Sequence, residues 1–260
     1  MKISVVTINY NNSQGLEKTI KSVVDQTYHD IEYLVVDGGS TDGSIDVIQK
    51  YQDQVSWFCS EKDNGIYNAM NKGIKQSNGE YLLFLNSGDF LIENTIIEKI
   101  EAFGLDKDLI YGDLTFFDTE KKWNWLLPDM LTFEHFYKST IPHPSTFIKK
   151  QLFEKVGLYD EQLKIVSDWK FFIMAAAKFN CTYKHIPLIT TEYSFDGLSS
   201  NPENLKLIEE ERLKVLNEEF SLFLKDYENL FFLKDEMRKI KYFTKTRRFF
   251  KHIFKVKKSS

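Results

Sequence analysis

Cysteine is scarce in this chain of 260 residues. Its two cysteines, Cys59 and Cys181, are too few for a disulfide framework and lack metal-binding spacing. A reducing compartment, the cytoplasm, is therefore the expected home. No apolar run approaches the ~20 residues of a spanning helix. The first residues pass directly into Lys2-Ile3-Ser4-Val5-Val6, without a basic segment and a long apolar stretch, so no secretory signal is expected. No G-x-G-x-x-G follows that first run, which counts against a dinucleotide oxidoreductase. Acidic residues are missing from the end. From Arg238 onward there are ten Lys or Arg and no Asp or Glu, although the whole chain carries a net charge of −4. An acidic body argues against a nucleic-acid-binding core, and the basic, aromatic tail is expected to meet an anionic surface.

What is present is ordinary in amount and informative in order. The length suffices for one large domain, with or without an appendage. Phenylalanine is abundant, which suits a thick core or a sugar-facing cleft. Ile3 to Asn9 reads as a strand, and Leu16, Ile20, Val23 and Val24 recur at helical spacing. Ile31 to Val36, Val55 to Cys59 and Tyr81 to Leu85 read as further strands. Helices carrying Ile45, Val47 and Ile48, then Ile66, Met70, Gly73 and Ile74, lie between them. Strands alternating with helices imply βαβ units and a mostly parallel sheet. After about Phe103 the pattern changes. Strands are expected at Leu109 to Phe117, Trp123 to Leu127 and Tyr183 to Tyr193. Helices are expected over about Thr132 to Lys138 and from near Asp168, and Asn201-Pro202 opens a polar helix leading into the tail.

Ligands of open parallel sheets sit beyond the carboxyl ends of the strands, where helix N-termini offer free N–H groups. The polar clusters fall there: Thr7 and Asn9; Asp37, Ser40 and Asp42; Asp63-Asn64-Gly65; Asn86 and Asp89. Each also has a bland reading. Asp37-Gly38-Gly39-Ser40 is either a turn and helix cap or a carboxylate that accepts from a nucleoside. The helix face with Asn68, Asn71, Lys72 and Lys75 is either solvated or, through Lys72, a partner for diphosphate. Asp89 suits Mg²⁺ or Mn²⁺, which take oxygen ligands, with phosphates and water completing the shell. Asp168 is either the N-cap of its helix or a general base. His143, between two prolines, reads as structural ahead of a metal or phosphate contact. His29 and His185 show no clustering and read as structural. Ile240, Phe243, Phe250 and Phe254 fall near one helical face, which reads as packing, disorder or an interfacial helix on anionic lipid.

Taken together, the motifs resemble the family 2 glycosyltransferases of the GT-A fold, in particular bacterial members that build surface polysaccharides. The resemblance covers about residues 1 to 200. It rests on Ser4-Val5-Val6-Thr7-Ile8-Asn9-Tyr10-Asn11, Val36-Asp37-Gly38-Gly39-Ser40-Thr41-Asp42-Gly43 and Glu61 through Gly73. It continues in Gly79 through Asp89, His143-Pro144-Ser145, Gly157-Leu158-Tyr159-Asp160 and Ser167-Asp168-Trp169. It implies an α/β, Rossmann-like sheet flanked by helices. Thr7, Asn9, Asp37 and Ser40 would hold the nucleoside, with Asp37 on the base, and Asp63 and Asn86 would line the nucleotide pocket. Asp168 would be the base of an inverting transfer. Many relatives carry Asp-x-Asp after the fourth strand. Here Asn86 and Gly88 stand in those places, leaving Asp89 as the metal ligand.

The expectation is an inverting, metal-assisted transferase. It moves a sugar from a nucleotide-sugar, UDP-linked before GDP- or dTDP-linked, to a hydroxyl of a glycan or lipid-linked saccharide. Residues 1–100 bind the donor, 101–200 shape the acceptor side, and 201–260 form a helical extension. Its basic part, about 238–258, places the enzyme on the inner membrane face. Two rivals remain: a non-catalytic nucleotide-sugar-binding protein, kept open by Asn86 and Gly88, and a nucleotidyltransferase, which lacks here a basic Gly-rich first loop for triphosphate.

Overall fold

The computed structural model describes residues 3–117, 121–194 and 197–256, with side chains as far as Ile240. It divides into two compact units, residues 1–208 and 209–260. The first unit opens with strands β1 (Ile3–Asn9) and β2 (Ile31–Asp37), and later β4 (Tyr81–Asn86). All three are apolar runs buried on both faces, as strands in a parallel sheet must be. Between them lie α1 (Ser13–Val24), α2 (Ser44–Lys50), the short β3 (Trp57–Ser60) and α3 (Ile66–Gln76). The Asn12 side chain accepts from the Gly15 N–H and so caps α1. The helix buries Leu16, Thr19, Ile20 and Val23, one stripe at helical spacing. Helix α3 lies close on β1 because position 73 is glycine: a Cβ there would stand 2.4 Å from Cγ1 of Val6.

The second half adds β5 (Phe90–Leu91), α4 (Ile96–Ala102), β6 (Leu109–Phe117), β7 (Lys122–Trp125) and α5 (Phe133–Lys138). A single 3-10 turn at His143–Ser145 leads into β8 (Thr146–Lys149), α6 (Lys150–Val156), α7 (Ser167–Ala177) and β9 (Tyr183–Ser194). The sheet runs β3-β2-β1-β4-β8-β6-β9-β5, with β7 paired to β6. Parallel pairing joins β1 to β2 and β4, β2 to β3, and β6 to β9. The pairs β4–β8, β6–β8, β6–β7 and β5–β9 are antiparallel. The run of βαβ units read from the sequence thus covers the first half, and the sheet as a whole is mixed.

A turn at Pro202–Asn204 precedes α8 (Leu205–Val256), whose backbone leaves helical geometry at Phe220. In the second unit Leu222, Phe223, Leu230, Leu233, Met237 and Ile240 are exposed on α8. Among the described residues no helix is long and apolar enough to cross a membrane. The expected stripe at Phe243, Phe250 and Phe254 lies outside the residues whose side chains are described.

Candidate active site

The strand register brings the polar strand ends to one edge. Asn9 stands opposite Asp37 on one side of β1, and Ile8 stands opposite Asn86 on the other. Asp37 is fully buried and saturated with donors. Asn9 Nδ2 donates to its Oδ1 at 2.7 Å, and the Ser40 hydroxyl at 2.5 Å. Its Oδ2 accepts from the Ser60 hydroxyl at 2.6 Å and from the N–H groups of Gly39 and Ser40 at 3.1 and 2.9 Å. Burial alone would raise the Asp37 carboxyl. The hydroxyls of Ser40 and Ser60, with the Ser40 N–H and the Asn9 amide, overcome burial and hold it below its ordinary value. Asp63 lies against this cluster. Its Oδ1 accepts from the Gly65 N–H at 3.0 Å, and a Cβ at position 38 would stand 2.6 Å from its Oδ2. Tyr10, just past β1, is two-thirds exposed beside Gly38.

A second cluster forms on the β4 side. Asp168 sits in the first turn of α7, and Val166 occupies the N-cap position, with no side-chain cap bond. The N-cap reading of Asp168 therefore fails: one residue into the helix, its carboxylate turns to tertiary partners. His143 Nδ1 lies 3.1 Å from Oδ2. The Trp169 N–H and the Tyr67 hydroxyl lie 2.9 and 3.0 Å from Oδ1. Burial alone would raise this carboxyl too. The hydrogen bond and charge of His143, then the Trp169 N–H and the Tyr67 hydroxyl, keep it below its ordinary value. The other ring nitrogen of His143 is 3.0 Å from Asn86 Nδ2. The histidine read as structural thus joins β4 to α7. The proline spacing that rigidifies its loop was the signal available for it.

Asp89 is buried, and its Oδ1 accepts from the Ser194 N–H of β9 at 3.3 Å. Burial pushes its carboxyl up to about 7, against the opposing charge of His143. Asp89 Oδ2, Asn86 Oδ1 and Asn9 Oδ1 are buried acceptors that receive no hydrogen bond from the described residues. Such orphaned oxygens are costly unless a ligand or water satisfies them. Oxygen donors of this kind suit a hard divalent cation, and the carboxylate oxygen of Asp89 is the ligand type it takes. Among the described residues no group of three or more His, Cys, Asp or Glu could hold a metal by itself. The remaining ligands would have to come from phosphate and water.

Other expected residues lie differently. Thr7 is fully buried within β1, its hydroxyl 2.9 Å from that of Tyr33, so it sits below the edge rather than on it. Lys72 Nζ is 2.7 Å from Glu61, which occupies the charge meant for a diphosphate. Asn71 is buried, not solvated. It donates to Glu161 and to the Tyr159 carbonyl and accepts from the Tyr159 N–H, clamping α3 to that segment. His185, read as structural without clustering along the sequence, lies 2.7 Å from Asp129 and 2.9 Å from Asp113 and stacks on Tyr111. β6 and β9 bring these together across long sequence gaps, which periodicity cannot show. Beside Tyr67 lies a cavity of about 280 Å³ lined mainly by Ile66, Leu163, Ile165, Leu198 and Leu207, with Asn68 on its wall.

Residues 4–160 match the profile of Glycosyl transferase family 2. A PGL/p-HBAD biosynthesis glycosyltransferase of Mycobacterium bovis is 29% identical over 221 residues, spanning 82% of this chain and 83% of that protein. An uncharacterized glycosyltransferase of Mycobacterium tuberculosis is 31% identical over 219 residues, spanning 77% and 78%. Among solved structures, S. aureus TarS 1-349 in complex with UDP superposes with a TM-score of 0.62 at 19% identity. The match covers 75% of this chain and 60% of that one. The mannosyltransferase PcManGT from Pyrobaculum calidifontis, in complex with GDP-Man and Mn²⁺, gives 0.57 at 14%, covering 74% and 56%. The mixed sheet with its polar carboxyl edge is the GT-A arrangement, and the chain belongs to glycosyltransferase family 2.

Proposed function

We propose that the protein is an inverting transferase that moves one sugar from a nucleotide-sugar, UDP-linked before GDP- or dTDP-linked, to a hydroxyl of a glycan or lipid-linked saccharide of the cell surface. One observation carries this reading: a part-buried carboxylate, Asp168, is kept below its ordinary pKa by three donors and is joined through His143 to Asn86, at the end of the strand beside Asn9 and Asp37. The neighbours crystallised with UDP and with GDP-Man, and the relative named for PGL/p-HBAD biosynthesis, support the donor and acceptor classes.

Asp168 takes the proton of the acceptor hydroxyl. That oxygen attacks the anomeric carbon as the bond to the diphosphate oxygen breaks, and the electron pair leaves with the nucleoside diphosphate. Attack from the face opposite the leaving group inverts the anomeric centre. Asn9, Asp37, Ser40 and Asp63 hold the nucleoside, and Asn86 lies toward the diphosphate. Asp37 already takes five donors, so it fixes Asn9 and Ser40. The unpaired Oδ1 of Asn9 is then the acceptor ready for a ligand N–H or O–H. Tyr10 is placed to stack on a base. Lys72 reaches a phosphate once it leaves Glu61. Asp89 would hold Mg²⁺ or Mn²⁺ together with diphosphate oxygens, and such a cation supplies charge stabilisation to the leaving group. The cavity beside Tyr67 belongs to the acceptor side.

Asp168→Asn tests the reading. It should lower turnover by roughly 10²–10⁴-fold while donor affinity, read as thermal shift with a panel of nucleotides and nucleotide sugars, is retained. Unchanged turnover would remove Asp168 as the base, and the absence of any nucleotide-dependent shift would remove the donor site.

A further inference from the structure

Tyr67 has one hydroxyl proton and two acceptors within reach. Its Oη is 2.5 Å from the carbonyl oxygen of Ile165 and 3.0 Å from Oδ1 of Asp168. A phenol donates once, so at any instant only one of these contacts is its donation. Both partners are fixed. Ile165 contributes backbone, and Asp168 is held by Trp169 and His143. The Tyr67 ring is buried and packs on Tyr159 at 5.7 Å between centroids, so the hydroxyl cannot move away from either.

The two protonation states of Asp168 call for opposite arrangements. While Asp168 is ionised, its charge draws the phenolic proton, giving a charge-assisted bond. Once Oδ1 carries a proton, it has one to donate. Tyr67 Oη can accept it, provided the phenol donates to Ile165 instead. Both arrangements use the same heavy-atom positions and differ by a rotation about the phenolic C–O bond. A fixed donor such as the Trp169 N–H favours only the carboxylate and so weakens the base. A hydroxyl with a second acceptor serves both forms.

We propose that Tyr67 is a positioning residue whose hydroxyl proton turns from Asp168 to the Ile165 carbonyl as Asp168 takes the proton of the acceptor hydroxyl. The inference rests on Asp168 being the general base. The proton count balances. One proton passes from the acceptor hydroxyl to Asp168, and the new glycosidic bond replaces the bond to the diphosphate. Tyr67 keeps its own proton throughout. The titratable groups facing Asp168 are Tyr67 from α3, His143 from the turn before β8, Tyr159, and Tyr193 from β9.

The test compares wild type, Tyr67→Phe and Asp168→Asn as full chains. It follows release of the nucleoside diphosphate across pH, using whichever UDP-, GDP- or dTDP-sugar gives the largest thermal shift. Tyr67→Phe keeps the ring and removes the hydroxyl. It should lower plateau kcat about tenfold or more, because Oδ1 of Asp168 loses the contact that orients it, leave the donor KM within about twofold, and move the acid limb by less than about half a pH unit, because support is lost from both forms. A plateau within about twofold of wild type, or an acid limb raised by about a unit as loss of a fixed donor requires, overturns the proposal. If the variant melts early, 4-aminophenylalanine at position 67 replaces it. The amine donates to both oxygens but accepts poorly, so plateau kcat should again fall, and wild-type kcat overturns the proposal. If Asp168→Asn keeps its turnover, the base assignment itself fails. If Asp168→Asn is inactive and Tyr67→Phe is not impaired, only the role of Tyr67 fails.

Discussion

His143 Nδ1 stands 3.1 Å from Asp168 Oδ2, joining the turn before β8 to the first turn of α7. Its other ring nitrogen faces the Asn86 amide at 3.0 Å. A proton on Nδ1 points at the carboxylate. His143→Ala removes that donor and its charge from Asp168. The carboxyl pKa should then rise, and the acid limb of the rate profile should move to higher pH. Turnover near that limb should fall ~10-fold or more, whereas His143→Asn, whose amide can replace the Nδ1–H, should recover part of it. Kinetics from pH 5 to 9 check this, and an unmoved acid limb in His143→Ala would show that the contact does not tune the base.

Asp89 makes the opposite contribution to pH dependence. Its folded pKa of about 7 exceeds its ordinary 3.8, so the folded state binds the proton more tightly than the unfolded one. Stability from this group is therefore complete below pH 4 and is lost as pH rises toward and through 7. By linkage the loss amounts to roughly 4 kcal/mol when deprotonation is complete. In chelator, wild-type Tm should fall from pH 5 to 8, and Asp89→Asn should flatten that slope. Added Mn²⁺ at pH 8 should raise the Tm of wild type and not of the variant. Equal slopes for the two proteins would count against the burial argument.

Gly38 gives Asp63 its place. A methyl group at position 38 would fall 2.6 Å from Asp63 Oδ2, so Gly38→Ala must push that side chain aside. The neighbouring contact is the end of a side chain, so the fold should lose only about 1 kcal/mol. Nucleotide affinity, measured by calorimetry, should fall at least several-fold. Unchanged affinity would take Asp63 out of the nucleotide pocket.

The basic tail gives a fourth outcome. Deleting residues 238–260 removes ten of the chain's Lys and Arg and no acidic residue. Binding to vesicles containing anionic lipid should drop sharply, since each basic group near such a surface contributes ~1 kcal/mol. Binding that persists in the truncated chain would place the membrane contact elsewhere, or nowhere.

Much of this architecture can be read along the chain because its first half is regular. β1, β2 and β4 are continuous apolar runs, and α1, α2 and α3 carry apolar residues at helical spacing. β3 begins two residues later than the pattern predicts, at Trp57. The elements that escape are short. β5 has two residues and β8 four, too few to show a period. The same limit applies to the site. Asp37, Ser40 and Asn9 announce themselves by lying at strand ends. Tyr67 and His143 do not, because their partners are 101 and 25 residues away.

β4 is hydrogen-bonded on one side to parallel β1 and on the other to antiparallel β8, with Tyr81 opposite Lys149 and Leu82 opposite Ile148. Residues 1–100 and 101–200 are consequently not separable halves. A hybrid gene that splices two relatives near residue 100 must rematch this seam, and with it the placement of Asn86 against His143. New sugar preferences in such an enzyme should be easier to obtain by changing side chains along the rim than by exchanging halves.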